Sequence, residues 1–349
     1  MNTDSTAPIR GLPHLSCVEL CAGAGGQALG LERGGFTHHR LVELDSDACA
    51  TLRHNRPFWT VLKADARTIG PDSLAPEASR LDLFAAGVPC PPFSLAGRQL
   101  GALDERDLFP AALRLIAGLR PRAVLLENVK GLLQTKFSAY RESISAELAG
   151  LGYRAEWKLL RACDFGVPQL RPRAVLVGLE DPAFRHFQWP EPPPDSPAPP
   201  TVGETLHHSM ASRGWRLADH WARQASRIAP TLCGGSKKHG GPDLGPSRAR
   251  KAWADMGVNG SSIATAPPGP GDQLPVKLTA GQMALLQGFP SDWAFTGGKT
   301  SVCRQIGNAF PPPVAEALGK QLRQALLHSQ GLQLPSPHLR EHHPHTSTA

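Results

Sequence analysis

No apolar run in this chain of 349 residues approaches the ~20 that a membrane-spanning helix needs. The opening segment, MNTDSTAPIRGLPH, lacks the apolar stretch of a signal peptide, so secretion by that route is not expected. The seven cysteines are odd in number and include no CxxC, which excludes a disulfide framework and a zinc ribbon. A reducing compartment fits them better. No repeat period is visible, so a solenoid is excluded as well.

Glycine and proline, by contrast, are plentiful. The 35 Gly and 34 Pro make about a fifth of the chain, below the ~25–30% that marks a disordered one. With 41% hydrophobic and 19% charged residues, the composition is that of a globular protein with long loops. Its length predicts about two domains. The net charge is +7, and nearly all of it is local. Between His208 and Gly260 nine Lys/Arg face three Asp. A concentrated basic zone points to a polyanionic partner.

Short apolar runs alternate with helical periodicity over the first 180 residues or so. Strands are predicted at 15–20, 40–44, 61–64, 81–86, 123–126, 153–160 and 173–179. Helices are predicted at 27–33, 46–54, 108–119 and 140–151. This pattern predicts an α/β protein with a doubly wound, mostly parallel, Rossmann-like sheet. PEPPPDSPAPP, starting at Pro190, reads as a linker. Residues 201–275 are rich in Gly, Pro and Lys/Arg with little periodicity, so a small, loop-rich second domain is expected there. Helices return before Gln287 and at 314–327. The histidines of the polar tail have nothing nearby to fix a metal geometry, and no metal is expected.

Chemistry first shows at the first strand-turn-helix. Leu20-Cys21-Ala22-Gly23-Ala24-Gly25-Gly26 brings glycines to a helix N-terminus, and Gly23, Gly25 and Ala28 satisfy a loose G-x-G-x-x-A pattern. Glu43 ends the second strand, where an acid can take ribose hydroxyls. Asp65, after the third, suits an adenine amino group. A nicotinamide dehydrogenase and an S-adenosylmethionine methyltransferase both fit.

The fourth strand runs into Val88-Pro89-Cys90-Pro91-Pro92-Phe93-Ser94. Most isolated cysteines are small buried hydrophobes. A thiol bracketed by prolines at the ligand edge of a parallel strand is better read as a nucleophile. The fifth strand delivers Glu127 to the same edge, directly after AVLL. A carboxyl group there is costly unless it is used or paired.

These stretches resemble the DNA cytosine-5 methyltransferases of the bacterial modification type. ELCAGAGG, VPCPPFS, RDLF (106–109), ENVKG (127–131), QLRPR (169–173), LQGFP (286–290) and QIGNAFPPPVAEAL (305–318) occur in that family's order. The resemblance implies that Cys90 attacks cytosine C6, that Glu127 contacts N3 and the exocyclic amine, and that Arg171 and Arg173 hold the O2 side. It implies S-adenosyl-L-methionine as methyl donor, S-adenosyl-L-homocysteine as product, and no metal. Leu20, Cys21, Ala22, Gly23, Gly25, Gly26, Glu43, Leu44, Asp65, Ala66, Pro89, Leu108, Asn308 and Ala309 would line the cofactor. Ser94, Arg98, Lys237, Lys238 and Arg248 would contact double-stranded DNA.

Four positions depart from the family pattern. Cys21 and Leu44 replace bulky groups that flank the adenine, so less stacking is expected. Gly281-Gln282 replaces an Arg-Glu pair that anchors the two domains to each other. The expected division is a catalytic domain at 14–189, target recognition at 190–276, a hinge and return segment at 277–302, and a helix at 303–328 that completes the catalytic domain. Residues 1–13 and 329–349 are expected to be disordered. The segment Ser94–Glu105, with Gly97 and Gly101, is expected to close over DNA. An RNA cytosine-5 methyltransferase on the same scaffold is the second reading. The resemblance further implies a cytoplasmic, nucleoid-associated monomer with a cognate restriction endonuclease.

Overall fold

The computed structural model describes residues 13–75, 80–89, 107–192, 197–234 and 241–332. Its centre is a seven-stranded sheet in the order β3-β2-β1-β4-β5-β7-β6. The strands are β1 (Leu15–Leu20), β2 (Phe36–Glu43), β3 (Val61–Lys63), β4 (Leu83–Gly87), β5 (Ala123–Val129), β6 (Tyr153–Arg161) and β7 (Pro172–Glu180). The first five are parallel. β7 alone is reversed, pairing antiparallel with β5 and β6. The expected doubly wound α/β sheet is therefore present. The chain runs from β1 outward to β3, then returns to β4 on the other side of β1. That reversal places a crevice beyond the carboxyl ends of β1 and β4, where open α/β sheets bind ligands.

Alternation of side chains divides the core between the two sheet faces. Val18, Leu20, Phe84, Ala86, Val124 and Leu126 pack with α3 (Phe109–Leu119) and α4 (Ser138–Gly150). Cys17, Leu83, Ala85, Leu125, Val175 and Val177 pack with α11 (Pro312–His328) and the end of α1 (Gly26–Arg33). The short α5 (Asp181–Phe184) follows β7. α2 (Ser46–Asn55) starts on Asp45, whose carboxylate accepts from Asp47 N and Ala48 N. The same carboxylate accepts from Arg304 on α10 (Lys299–Asn308) at 3.0 Å.

Glycines let α11 seat on α1. A Cβ on Gly30 would collide with Ala315 Cβ and the Pro312 carbonyl, and one on Gly34 would lie 2.9 Å from Gly319 Cα. Gly30→Ala should therefore lower stability by about 1–3 kcal/mol, the cost of overpacking. This is expected although Ala is the better helix former by ~1 kcal/mol. The midpoint of urea unfolding checks it; an unchanged midpoint would mean the helices do not meet there.

The Gly/Pro-rich region is more ordered than its composition suggested. It forms α6 (Val202–Ala211), α7 (Ala218–Gln224) and α8 (Ser247–Asp255). Trp215, Trp221 and Trp253 are buried among Leu206, Met210 and Ile263. α9 (Ala280–Leu286) opens on a capping box between Thr279 and Gln282. Gln282 Nε2 also donates to Ser209 Oγ on α6 at 3.1 Å. An anchor thus exists where Gly281-Gln282 replaces Arg-Glu, but it is an uncharged one. The chain after α11 closes with Leu332 N donating to the Leu327 carbonyl. The remainder of the tail and residues 1–12, both expected to be disordered, lie outside the described residues. Among the described residues no helix is long and apolar enough to cross a membrane.

Candidate active site

The turn after β1 is built by backbone geometry. Cys21, Gly23 and Gly25 have φ of 56°, 55° and 87°, and Gly25 N donates back to the Ala22 carbonyl. A left-handed non-glycine residue such as Cys21 is uncommon and marks local strain, a frequent property of functional turns. The glycines serve different ends. A Cβ on Gly25 would lie 2.7 Å from Leu52 Cδ2 and 3.0 Å from Trp293 Cζ2. One on Gly26 would collide with the Phe310 carbonyl and approach Ala309 Cβ to 3.1 Å. At Gly23, its chain neighbours aside, no heavy atom of the described residues lies within 4 Å of that position, so they leave the turn open there.

Glu43 braces the turn. Its Oε2 accepts from Gly23 N at 2.8 Å, and its Oε1 accepts from Leu44 N and Asp45 N at 2.8 and 2.7 Å. Leu44 lies past β2 and is 57% exposed. The Asp65 carboxylate is paired with Arg67, Nη2 to Oδ2 2.6 Å, and these bonds hold its pKa below the ordinary range. An adenine amino group would have to share Asp65 with Arg67. Ala66 is buried, while Pro89 and Leu108 are half-buried, Leu108 as the N-cap of α3. Ala309 reaches the glycine turn through Gly26. The neighbouring Asn308 is exposed, its Oδ1 2.5 Å from a Cβ built on Gly234.

Glu127 lies inside β5, not after it. It pairs with Gly87 on one side and Val175 on the other. Arg173 stands two residues from Val175 on the same face and reaches Glu127 diagonally, Nε to Oε1 2.7 Å. A Cβ on Gly87 would lie 3.8 Å from Glu127 Oε2 and 3.5 Å from the Cys21 carbonyl oxygen. The acid and the glycine turn therefore meet at one edge. Glu127 is only 7% exposed. Burial raises its pKa, against the pull of the Arg173 and Arg171 charges.

Arg171 behaves differently from Arg173. It is 1% exposed and donates to the carbonyls of Leu232, Gly307 and Ala309 at 2.8, 2.8 and 2.9 Å. Its two terminal nitrogens are thus engaged by these carbonyls and, at 3.4 Å, by Gln169 Oε1, and its charge acts on Glu127. Arg248 is exposed near the start of α8, and Arg250 and Lys251 are exposed beside it. Cys90, Ser94, Arg98, Lys237 and Lys238 lie outside the described residues, as does the segment expected to close over DNA.

The C-5 cytosine-specific DNA methylases match this chain over residues 15–324, nearly the whole of it. The chain belongs to that family. The nicotinamide dehydrogenase reading is thereby set aside. The chain is 56% identical over 319 residues to the Type II methyltransferase M.NaeI of Lentzea aerocolonigenes, covering 90% of this chain and 76% of that protein. It is 48% identical over 321 residues to M.NgoMIV of Neisseria gonorrhoeae, covering 90% and 98%. The fold is similar to the S. pombe Dnmt2 methyltransferase, with a TM-score of 0.60 at 16% identity and coverage of 90% and 99%.

For a DNA cytosine-5 methyltransferase, three site-shaping residues escaped the sequence reading. Asn128 is buried and donates from Nδ2 to the Val88 carbonyl at 3.3 Å, holding the end of β4 to β5. Trp293 Nε1 donates to the Ala24 carbonyl within the glycine turn. Gln287 joins Gln169 in the core at 2.6 Å. Asn128 and Gln287 sit in motifs already singled out, so position in the motif was their one legible signal. Trp293 carried none.

Proposed function

We propose that the protein methylates C5 of a specific cytosine in double-stranded DNA with S-adenosyl-L-methionine, as the modification arm of a restriction–modification system. The observation that carries this reading is the buried Glu127–Arg173 pair beside Gly87, at the edge where the glycine turn opens. A carboxyl group whose pKa burial raises keeps its proton to higher pH than an ordinary carboxyl, and an adjacent guanidinium can meet a carbonyl oxygen.

The residues fit the methyl donor. Space opens over Gly23, and Leu44 offers exposed apolar surface beside it. Glu43 Oε2 accepts one backbone hydrogen bond and keeps a lone pair for a ribose hydroxyl. When bound, the donor supplies an electrophilic methyl group. Glu43→Ala should weaken S-adenosylhomocysteine binding by ~1.5–3 kcal/mol, the range for hydrogen bonds to a charged group. Turnover at saturating donor should change much less. Calorimetry checks this, and an unchanged dissociation constant would remove Glu43 from the ribose site.

Cytosine C5 is a weak nucleophile, so the ring must be activated. The Cys90 thiolate attacks C6 while the Glu127 proton is held at N3. The S–C6 bond forms and the C5–C6 π pair shifts, leaving a neutral enamine that is nucleophilic at C5. Arg173 meets O2. C5 takes the methyl group, its proton leaves to water, and expulsion of the Cys90 thiolate restores the C5–C6 double bond. The N3 proton returns to Glu127. Arg171 acts on this site by position and charge. The base must first leave the duplex, at a cost of a few kcal/mol. Ser94, Arg98, Lys237, Lys238 and Arg248 are proposed as the DNA contacts, the basic ones chiefly to phosphate.

In this reading residues 190–276 recognise the target, residues 14–189 and 303–328 form the catalytic domain, and 277–302 link them. The protein acts as a cytoplasmic monomer, and a cognate endonuclease cuts the same site. Mapping methylated bases in unmethylated DNA after incubation with the protein and donor tests the activity. The expected result is 5-methylcytosine in one recurring sequence context. Methylation of RNA alone, or at an exocyclic nitrogen, would overturn the proposal.

A further inference from the structure

Three side chains beneath the site form one buried polar network. Gln169 and Gln287 are fully buried, as is Arg171. Gln169 Nε2 donates to Gln287 Oε1 at 2.6 Å and to the Leu286 carbonyl at 3.1 Å. Its Oε1 accepts from Leu232 N at 2.9 Å and from Arg171 Nη1 at 3.4 Å. Gln287 Nε2 donates to the Ala309 carbonyl at 2.5 Å, which Arg171 Nη2 also reaches. Leu232 is thus gripped at both its N–H and its carbonyl, and Ala309 is gripped twice.

Apolar side chains could fill this space, and burying amides is costly unless they are satisfied. Directional bonds do what apolar packing cannot: they fix several backbones in one register. Four segments meet here, and each leads somewhere different. Gln169–Arg171 leads to Arg173 and so to Glu127. Leu232 leads to Gly234, and then to the basic GGSKKHGG. Leu286–Gln287 leads to Phe289, which lies 3.3 Å from a Cβ built on Gly26, and to Trp293 on Ala24. Gly307–Ala309 leads to the glycine turn, and a Cβ on Gly307 would collide with the Gly234 backbone, while one on Gly234 would collide with the Arg304 carbonyl and Asn308. A shift of the Leu232–Gly234 backbone cannot leave Gly307–Ala309 in place without breaking this network.

We infer that the buried amide pair Gln169–Gln287, acting with Arg171, couples DNA binding to methyl-donor binding. This rests on the proposed function, which puts DNA on the Leu232–Gly234 side and the donor at the glycine turn. Both glutamines are positioning residues, since neither is placed against substrate or donor. The coupling is reciprocal by thermodynamic necessity.

The test is the calorimetric dissociation constant of S-adenosylhomocysteine, measured with and without saturating duplex. In the wild type the duplex should tighten it by about fivefold or more. Gln287→Met keeps the shape and removes the bonds. Gln287→Glu keeps the acceptor for Gln169 and loses the donor to Ala309. Either should bring the ratio to within about twofold of one while affinity without duplex stays within about threefold. A merely structural role would lower stability and leave the ratio alone. A second measurement needs no variant: duplex alone should slow amide exchange in a 307–310 peptide as well as in 232–234. An unchanged ratio in the variants, a ratio of one in the wild type, or protection confined to 232–234 would each overturn the coupling. A wild type that binds duplex but never S-adenosylhomocysteine would instead overturn the cofactor assignment beneath it.

Discussion

Glu127→Gln should lower methyl transfer by ~10²–10⁴-fold, the usual worth of a positioned acid or base. Gln is nearly isosteric and can still accept from Arg173 Nε, so the sheet should keep its register. It cannot deliver a proton to N3. Donor affinity should therefore change little, and the loss should fall on turnover. The pH profile carries a second signature. Burial raises the Glu127 pKa above that of an ordinary carboxyl, and the protonated form is the one the mechanism uses. Activity should thus have a limb that falls as pH rises through this raised value. In Glu127→Gln that limb should vanish. Single-turnover rates across pH with tritiated donor check both. Retention of most of the wild-type rate, or an identical limb in the variant, would remove Glu127 from proton transfer.

Arg171→Met should be the most destabilising change at the site. The fork joins the segment just before β7 to Leu232, Gly307 and Ala309 while 1% exposed. Its removal leaves buried carbonyls without their charged donor, although Ala309 keeps Gln287. Breaking a buried charged network of this kind costs about 3–5 kcal/mol. At ~2–4 °C per kcal/mol, the melting temperature should drop by roughly 6 °C or more. Arg171→Lys should recover less than half, because one ammonium cannot span three carbonyls in a fixed fork. Thermal unfolding of the two variants beside the wild type measures it. A melting temperature within 2 °C of wild type, by that same scale, would mean the network is not worth what its geometry suggests.

The strands were legible because they are short, apolar and bounded by turns. β1 and β4 carry runs that only a sheet buried on both faces would use. β5 was read four residues long because Glu127 and Asn128 look like its end. Polar residues do not extend an apolar run, yet here they continue the ladder, satisfied by Arg173 and the Val88 carbonyl. The reversal of β7 left no trace, since pairing direction is not written in a strand's own periodicity. α7 and α8 have seven and nine residues, too few turns for a helical period to stand out against Gly and Pro. α6 did carry a signal, the Thr201–Glu204 capping box, in a stretch whose composition read as loop. At the site, residue types at strand ends pointed to Glu127 and Glu43. The division of labour between Arg171 and Arg173 was not legible. Both sit in one motif, and only the packing shows one guanidinium bound to backbone and the other to the acid.

The central claim is that Cys90 is the covalent nucleophile. Three of the other cysteines are poor candidates by environment: burial raises the thiols of Cys17, Cys49 and Cys303, the last to about 11. A duplex carrying 5-fluorocytosine at the target position blocks loss of the C5 substituent and should trap the enzyme after methyl transfer. Mass spectrometry of the digested adduct then locates the bond. The account predicts a donor-dependent adduct on the Cys90 peptide, absent in Cys90→Ser, a variant that still binds S-adenosylhomocysteine. No donor-dependent adduct, or an adduct on any of the other six cysteines, would contradict it.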